Sequence, residues 1–144
     1  MKKSGYSLFL LPLFMLIIGV FAHSCRDKYE DCTDEDYLNC QSVKPTQEGV
    51  EVYVTINEEN PAVIVKMYRG DFENGNLVWE KLYHNRDETE HIDTETYYSF
   101  TVTYQRGNET ITAVDGGEVK IISYRMCEQR CYETRPFTID LRID

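Results

Sequence analysis

Tyr97-Tyr98-Ser99-Phe100-Thr101-Val102-Thr103-Tyr104 puts Tyr98, Phe100, Val102 and Tyr104 on one parity and Tyr97, Ser99, Thr101 and Thr103 on the other. A period of two with one apolar side is the pattern of a β-strand that buries one face. The same alternation occurs upstream, where Val50, Val52, Val54 and Ile56 interleave with Glu51, Tyr53, Thr55 and Asn57. Ala62 to Tyr68 follows as a β-branched run suited to burial on both faces, then Leu77 to Tyr83. Downstream, Thr110 to Val114, Glu118 to Tyr124 and the alternating Phe137, Ile139, Leu141 and Ile143 read as further strands. Turn residues separate these runs: Asn57 to Pro61, Asn74-Gly75, which offers the positive φ of a tight hairpin, Gly107-Asn108, and Asp115-Gly116-Gly117. Helical periodicity is absent after residue 25. Seven or eight short strands at this spacing predict an all-β, antiparallel β-sandwich or barrel of about one hundred residues.

The start of the chain has a different character. Lys2 and Lys3 precede an unbroken apolar run from Leu8 to Ala22, which ends in Ala22-His23-Ser24 before Cys25. This is the layout of an export signal, shorter than the ~20 residues of a membrane-spanning helix and followed by an acidic flank. Cleavage before Cys25 divides the chain into a signal peptide (1–24), an acidic tether (25–48) and a sandwich domain (49–144). Ordinary signal cleavage after a small-x-small triplet stays open as the alternative. The segment around Cys25 resembles the lipobox of bacterial lipoproteins. That resemblance implies a diacylglycerol on the Cys25 thiol, attachment to the membrane through acyl chains, and residence in the cell envelope of a Gram-negative host, at its outer membrane, with surface exposure as a further expectation. A single acyl chain gives only marginal retention.

Charge narrows the partners. The 144-residue chain carries a net charge of −10; removing residues 1–24 leaves 120, and with Lys2 and Lys3 gone, 13 basic residues face 25 acidic ones, a charge of −12. Such a surface is repelled by nucleic acid and by anionic headgroups, so neither is an expected partner. The acidic residues Asp27, Glu30, Asp31, Asp34, Glu35 and Asp36 gather in the tether without the ligand spacing of a calcium loop.

An odd cysteine count in an exported chain asks for a use for the fifth thiol. With Cys25 assigned to lipid, Cys32, Cys40, Cys127 and Cys131 form two disulfides, with three connectivities open. Local pairs, Cys32 with Cys40 and Cys127 with Cys131, close the shortest loops and are the first choice, giving the tether a small disulfide loop. Neither spacing is the C-x-x-C of a zinc site, and no cofactor is expected.

Ile92 stands six residues before Tyr98, at the head of the Tyr98, Phe100, Val102 alternation. This arrangement resembles the corner before the sixth strand of fibronectin type III domains, from about Val50 to Val119. The resemblance implies an immunoglobulin-like sandwich in which the Tyr98 hydroxyl bonds back to the main chain near the corner.

Catalytic constellations are wanting, and no enzymatic activity is expected. His84 and His91 lie seven apart across a predicted loop, and Ser42, Ser99 and Ser123 lack the G-x-S-x-G turn of a nucleophile elbow. Two features point to binding instead. Arg69-Gly70-Asp71 is the tripeptide that some adhesive fibronectin modules display, although Gly and Asp equally suit a turn at a strand end. Tyr53, Tyr68 and Tyr97 fall on the outward parity of their strands, where rings can stack on sugars, anchor a protein partner or pair across strands. The sequence therefore reads as a non-enzymatic envelope module for a protein or glycan ligand.

Overall fold

A computed structural model describes residues 32–144. The export segment and Cys25 lie outside the described residues. Among the described residues the fold is all-β and sandwich-like, with nine strands and one short helix. The helix α1 (Asp34–Leu38) places Asp34, Glu35 and Asp36 in its first turn, where carboxylates complement the exposed amide ends. At five residues it is too short to leave a period in the sequence, and it stands where an acidic tether with a small disulfide loop was expected.

β1 (Gln47–Tyr53), β4 (Asp87–Asp93) and β9 (Thr138–Asp140) form a three-stranded sheet in the order β4-β1-β9. β9 lies parallel to β1, and β4 antiparallel. β2 (Val63–Arg69), β3 (Asn76–Tyr83), β5 (Tyr97–Arg106) and β6 (Glu109–Glu118) form a four-stranded sheet in the order β3-β2-β5-β6. β7 (Lys120–Met126) and β8 (Gln129–Arg135) make a separate hairpin.

The alternation that predicted β5 describes its burial: Tyr98, Phe100, Val102 and Tyr104 enter the core. There they join Val50 and Val52 of β1, Val65 and Met67 of β2, Ile92 of β4 and Ile139 of β9. Phe100 meets the edge of Trp79, with ring centroids 5.9 Å apart. β5 is an interior strand, so Ser99 and Thr101 on its other face are covered as well. Tyr104 ties three segments together, since its hydroxyl donates to the Leu141 carbonyl (2.8 Å) and accepts from the Thr55 amide (2.9 Å).

Several local expectations change. Asp115-Gly116-Gly117 is no turn but the end of β6, paired with Tyr98, Ser99 and Phe100. Its glycines serve close approach: a Cβ on Gly117 would sit 2.6 Å from the Phe137 ring, and one on Gly116 2.7 Å from the Tyr98 carbonyl. Between β2 and β3 the left-handed residue is Gly70 (φ 90°), not Asn74 or Gly75. β4 was read as loop because Glu90 occupies an inward position; its carboxylate is tolerated there by the Tyr83 hydroxyl (2.9 Å) and the Lys81 ammonium (2.5 Å). Burial, then the bond to Glu90, pushes the Tyr83 hydroxyl pKa far up.

Cysteine pairing is the largest correction. Cys32, Cys40, Cys127 and Cys131 are all disulfide-bonded, but Cys40 joins Cys131 across a sequence separation of 91. A local Cys32–Cys40 loop in the tether is thereby excluded, and so is Cys127–Cys131. Loop-closure entropy favours short rings only until folding brings distant residues together. Here β8 lies beside the incoming chain, with the Tyr132 amide donating to the Gln41 carbonyl (2.9 Å). Cys127 and Glu128 instead form a two-residue hairpin turn, both at positive φ (50° and 67°), with Met126 paired to Gln129.

Candidate binding surface

Each sheet turns one face to the core and one to water, and the two outer faces differ in chemistry. On the three-stranded sheet, register aligns Glu51 with Thr89 and Tyr53 with Asp87 across β1 and β4, and Tyr53 with Asp140 across β1 and β9. The Tyr53 hydroxyl donates to Glu51 (2.5 Å), and the Arg142 guanidinium lies 5.3 Å from the centre of its ring. The bond to Glu51 raises the Tyr53 pKa, while hydrogen bonding from Arg142 holds the Asp140 carboxyl below its ordinary value. This face is polar, acidic and internally paired.

The outer face of the four-stranded sheet carries a group of exposed apolar side chains among polar ones. Register sets Ile64 beside Leu82, Tyr68 beside Leu77 and Thr101 beside Val114, so these residues share the side away from the core. Ile64, Leu77, Leu82, Tyr97 and Val114 are 43–55% exposed. The ion pair on the β2–β3 side of this face, Lys66–Glu80 (3.0 Å), is balanced, and bonding to Glu80 raises the Lys66 pKa. The sequence reading missed Ile64, Leu77, Leu82 and Val114 as surface. An apolar run such as Val63 to Met67 looks doubly buried until pairing shows which parity meets the second sheet.

The three candidate tyrosines do not form one cluster. Tyr68 and Tyr97 lie on the outer face of the four-stranded sheet, and Tyr97 leans over Gly116 with its hydroxyl where a Cβ would stand (2.8 Å). Tyr53 belongs to the other sheet. Arg69-Gly70-Asp71 is built into the fold: the Arg69 guanidinium pairs with Asp93 (2.7 Å) and donates to the Tyr98 hydroxyl (3.1 Å). Gly70 donates to the Tyr97 carbonyl (2.9 Å) and accepts from the Ser99 hydroxyl (2.7 Å), while the Asp71 carbonyl receives the Asn74 and Gly75 amides. The Tyr98 hydroxyl in turn donates to the Asp93 carboxylate (3.1 Å), not to the main chain. Asp93 ends β4 just before the turn into β5 and so is the nearest acceptor. Hydrogen bonds from Gln47 and Tyr98 hold its carboxyl below the ordinary value.

His84 and His91 are both exposed, and His91 lies on β4 beside Gly49. Among the described residues no group of three or more His, Cys, Asp or Glu is placed to hold a metal ion, and no helix is long and apolar enough to cross a membrane. Comparisons of the chain with protein-family models, with curated proteins and with solved structures returned no match.

Proposed function

We propose that this protein is a non-enzymatic lipoprotein of the bacterial cell envelope, acylated on Cys25, whose sandwich acts as a binding or scaffolding module. The export layout of residues 1–25 supports the location. The single observation that carries the binding role is the outer face of the four-stranded sheet. Ile64, Leu77, Leu82 and Val114 remain in water there, gathered on one face of a chain whose net charge is −10. A fibronectin type III relationship is part of the same proposal: β1 to β6 would be its second to seventh strands, with β9 beside β1 where the first would stand.

Two measurements test this. Mass spectrometry of the amino-terminal peptide from membrane fractions is expected to find diacylglycerol on Cys25; an unmodified Cys25 in a soluble fraction overturns the anchor. Crosslinking in intact cells is expected to capture an envelope component that Leu82→Lys releases and Thr89→Lys, on the other sheet, does not. A capture profile identical in both variants overturns the binding face. Tyr68 and Tyr97 favour a second, glycan-binding reading, since both lie on this face; glycan-array binding lost in Tyr97→Ala would replace a protein partner by a sugar.

A further inference from the structure

We infer that the occupant of the four-stranded sheet's outer face is a second copy of this chain, docked face to face about a twofold axis; this rests on the binding role proposed above. Charge is the first argument. Two molecules of net charge −10 repel each other over most of their surfaces, and the outer face of the other sheet adds Glu51, Asp87 and Asp140 to that repulsion. The four-stranded face is different, because the charges beside its Ile64–Leu82 patch are one cation and one anion, Lys66 and Glu80, both about half exposed. They are direct neighbours across β2 and β3. A twofold axis near them sets the Lys66 of each copy within reach of the Glu80 of the other, so the contact is self-complementary. The apolar residues Ile64 and Leu82 lie alongside this pair and would be removed from water by the same contact.

Area is the second argument. Four strands of seven to ten residues make a face of about 20 by 25 Å, so full overlap would bury about 500 Å² per copy and about 1,000 Å² in total at most. That is the lower limit for a specific interface and corresponds to a weak, reversible dimer. Anchoring in one membrane raises the effective concentration of one copy near another, so a contact too weak to persist in dilute solution is populated on a surface.

The test uses two differently tagged full-length copies expressed in one cell. A carbodiimide, which joins a carboxylate to an adjacent amine, is applied to intact cells; one tag is captured and the other is read. Co-capture is expected, falling by about tenfold or more in Ile64→Lys/Leu82→Lys, since a desolvated charge in such a contact costs more than the 1.4 kcal/mol of one decade. Thr89→Lys on the other sheet is expected to leave it unchanged. Both apolar positions are exposed, and Leu82→Gln serves as the milder variant if the double substitution fails to reach the envelope. Co-capture that persists in the face variants places the contact elsewhere and overturns the inference. Absence of co-capture, while the same variants still release a different crosslinked component, overturns the second copy but leaves the binding face. Failure of the variants to change any capture removes both.

Discussion

From β1 to β6 the chain is held by side chains that water cannot reach, whereas the β7–β8 hairpin buries only Cys131. The sandwich is stabilised by apolar burial spread over more than a dozen residues; the hairpin hangs on covalent bonds at Cys127 and Cys131 and a few polar ones. Those polar bonds are the Tyr132 amide to Gln41 and the Thr134 hydroxyl to Glu48 (2.5 Å). The difference implies two kinds of failure: loss of core volume lowers the stability of everything at once, while loss of a latch frees one element and leaves the rest.

The largest effect is expected inside the sandwich. Phe100→Ala leaves a cavity against Trp79 and is expected to cost about 4 kcal/mol, read as one cooperative shift of the denaturation midpoint. Cys40→Ser with Cys131→Ser is next, at about 3 kcal/mol, because the bond closes a long loop in the unfolded chain. Hydrogen exchange should show its specific mark: β8 amides lose protection under conditions in which Phe100 and Val102 keep theirs. Equal loss everywhere would show that the hairpin and the sandwich form one cooperative unit.

Tyr104→Phe leaves the Thr55 amide and Leu141 carbonyl without that partner and is expected to cost about 2 kcal/mol, with exchange rising first near Leu141. Thr134→Val should cost about 1 kcal/mol and act on the hairpin alone. It also has a pH signature. Hydrogen bonds from Thr134 and then from the Gly49 amide hold the Glu48 carboxyl below its ordinary value of 4.5. A carboxyl whose folded pKa is depressed stabilises the fold above the unfolded value and loses that contribution as pH falls through the folded one. Hairpin protection is therefore expected to decline below about pH 4.5 in the parent, and less steeply in Thr134→Val. The smallest change is a gain: Glu128→Gly relieves a positive φ of 67° and should raise hairpin stability by about 0.5 kcal/mol, measured by exchange at Met126 and Gln129.

What the sequence made legible follows the same division. β1 and β5 were readable because burial on one parity leaves an alternation in the residues themselves, as Val50/Val52 and Phe100/Val102 do, whereas β2 and β3 were readable only as β-rich runs on either side of turn residues. β4 was not, because Glu90 occupies a core position and only tertiary partners, Tyr83 and Lys81, make that tolerable. β8 was hidden between two cysteines that suggested a short ring. Glycine misled twice: at Gly116 and Gly117 it marks close packing under Tyr97 and Phe137, not a change of chain direction. For the candidate surface, parity correctly placed Tyr53 and Tyr97 outward but could not say which sheet each belongs to. Hence three tyrosines that suggested one platform lie on two faces, and the exposed Ile64 and Leu82 passed for core.

The Cys40–Cys131 bond also has a mechanical consequence. When the molecule is pulled between its amino and carboxyl termini, tension crosses from residue 40 to residue 131 through sulfur, and the 90 residues between them, with β1 through β7, lie outside the load path. Only the segments beyond the two cysteines can extend, so β9 and the end of β8 would peel while the seven strands inside the covalent ring stay unstretched. A protein held at its amino end and cross-linked in this way lengthens little under drag, and because Cys32 and Cys127 are disulfide-bonded too, reduction of Cys40–Cys131 alone does not remove every cross-link from the line of force.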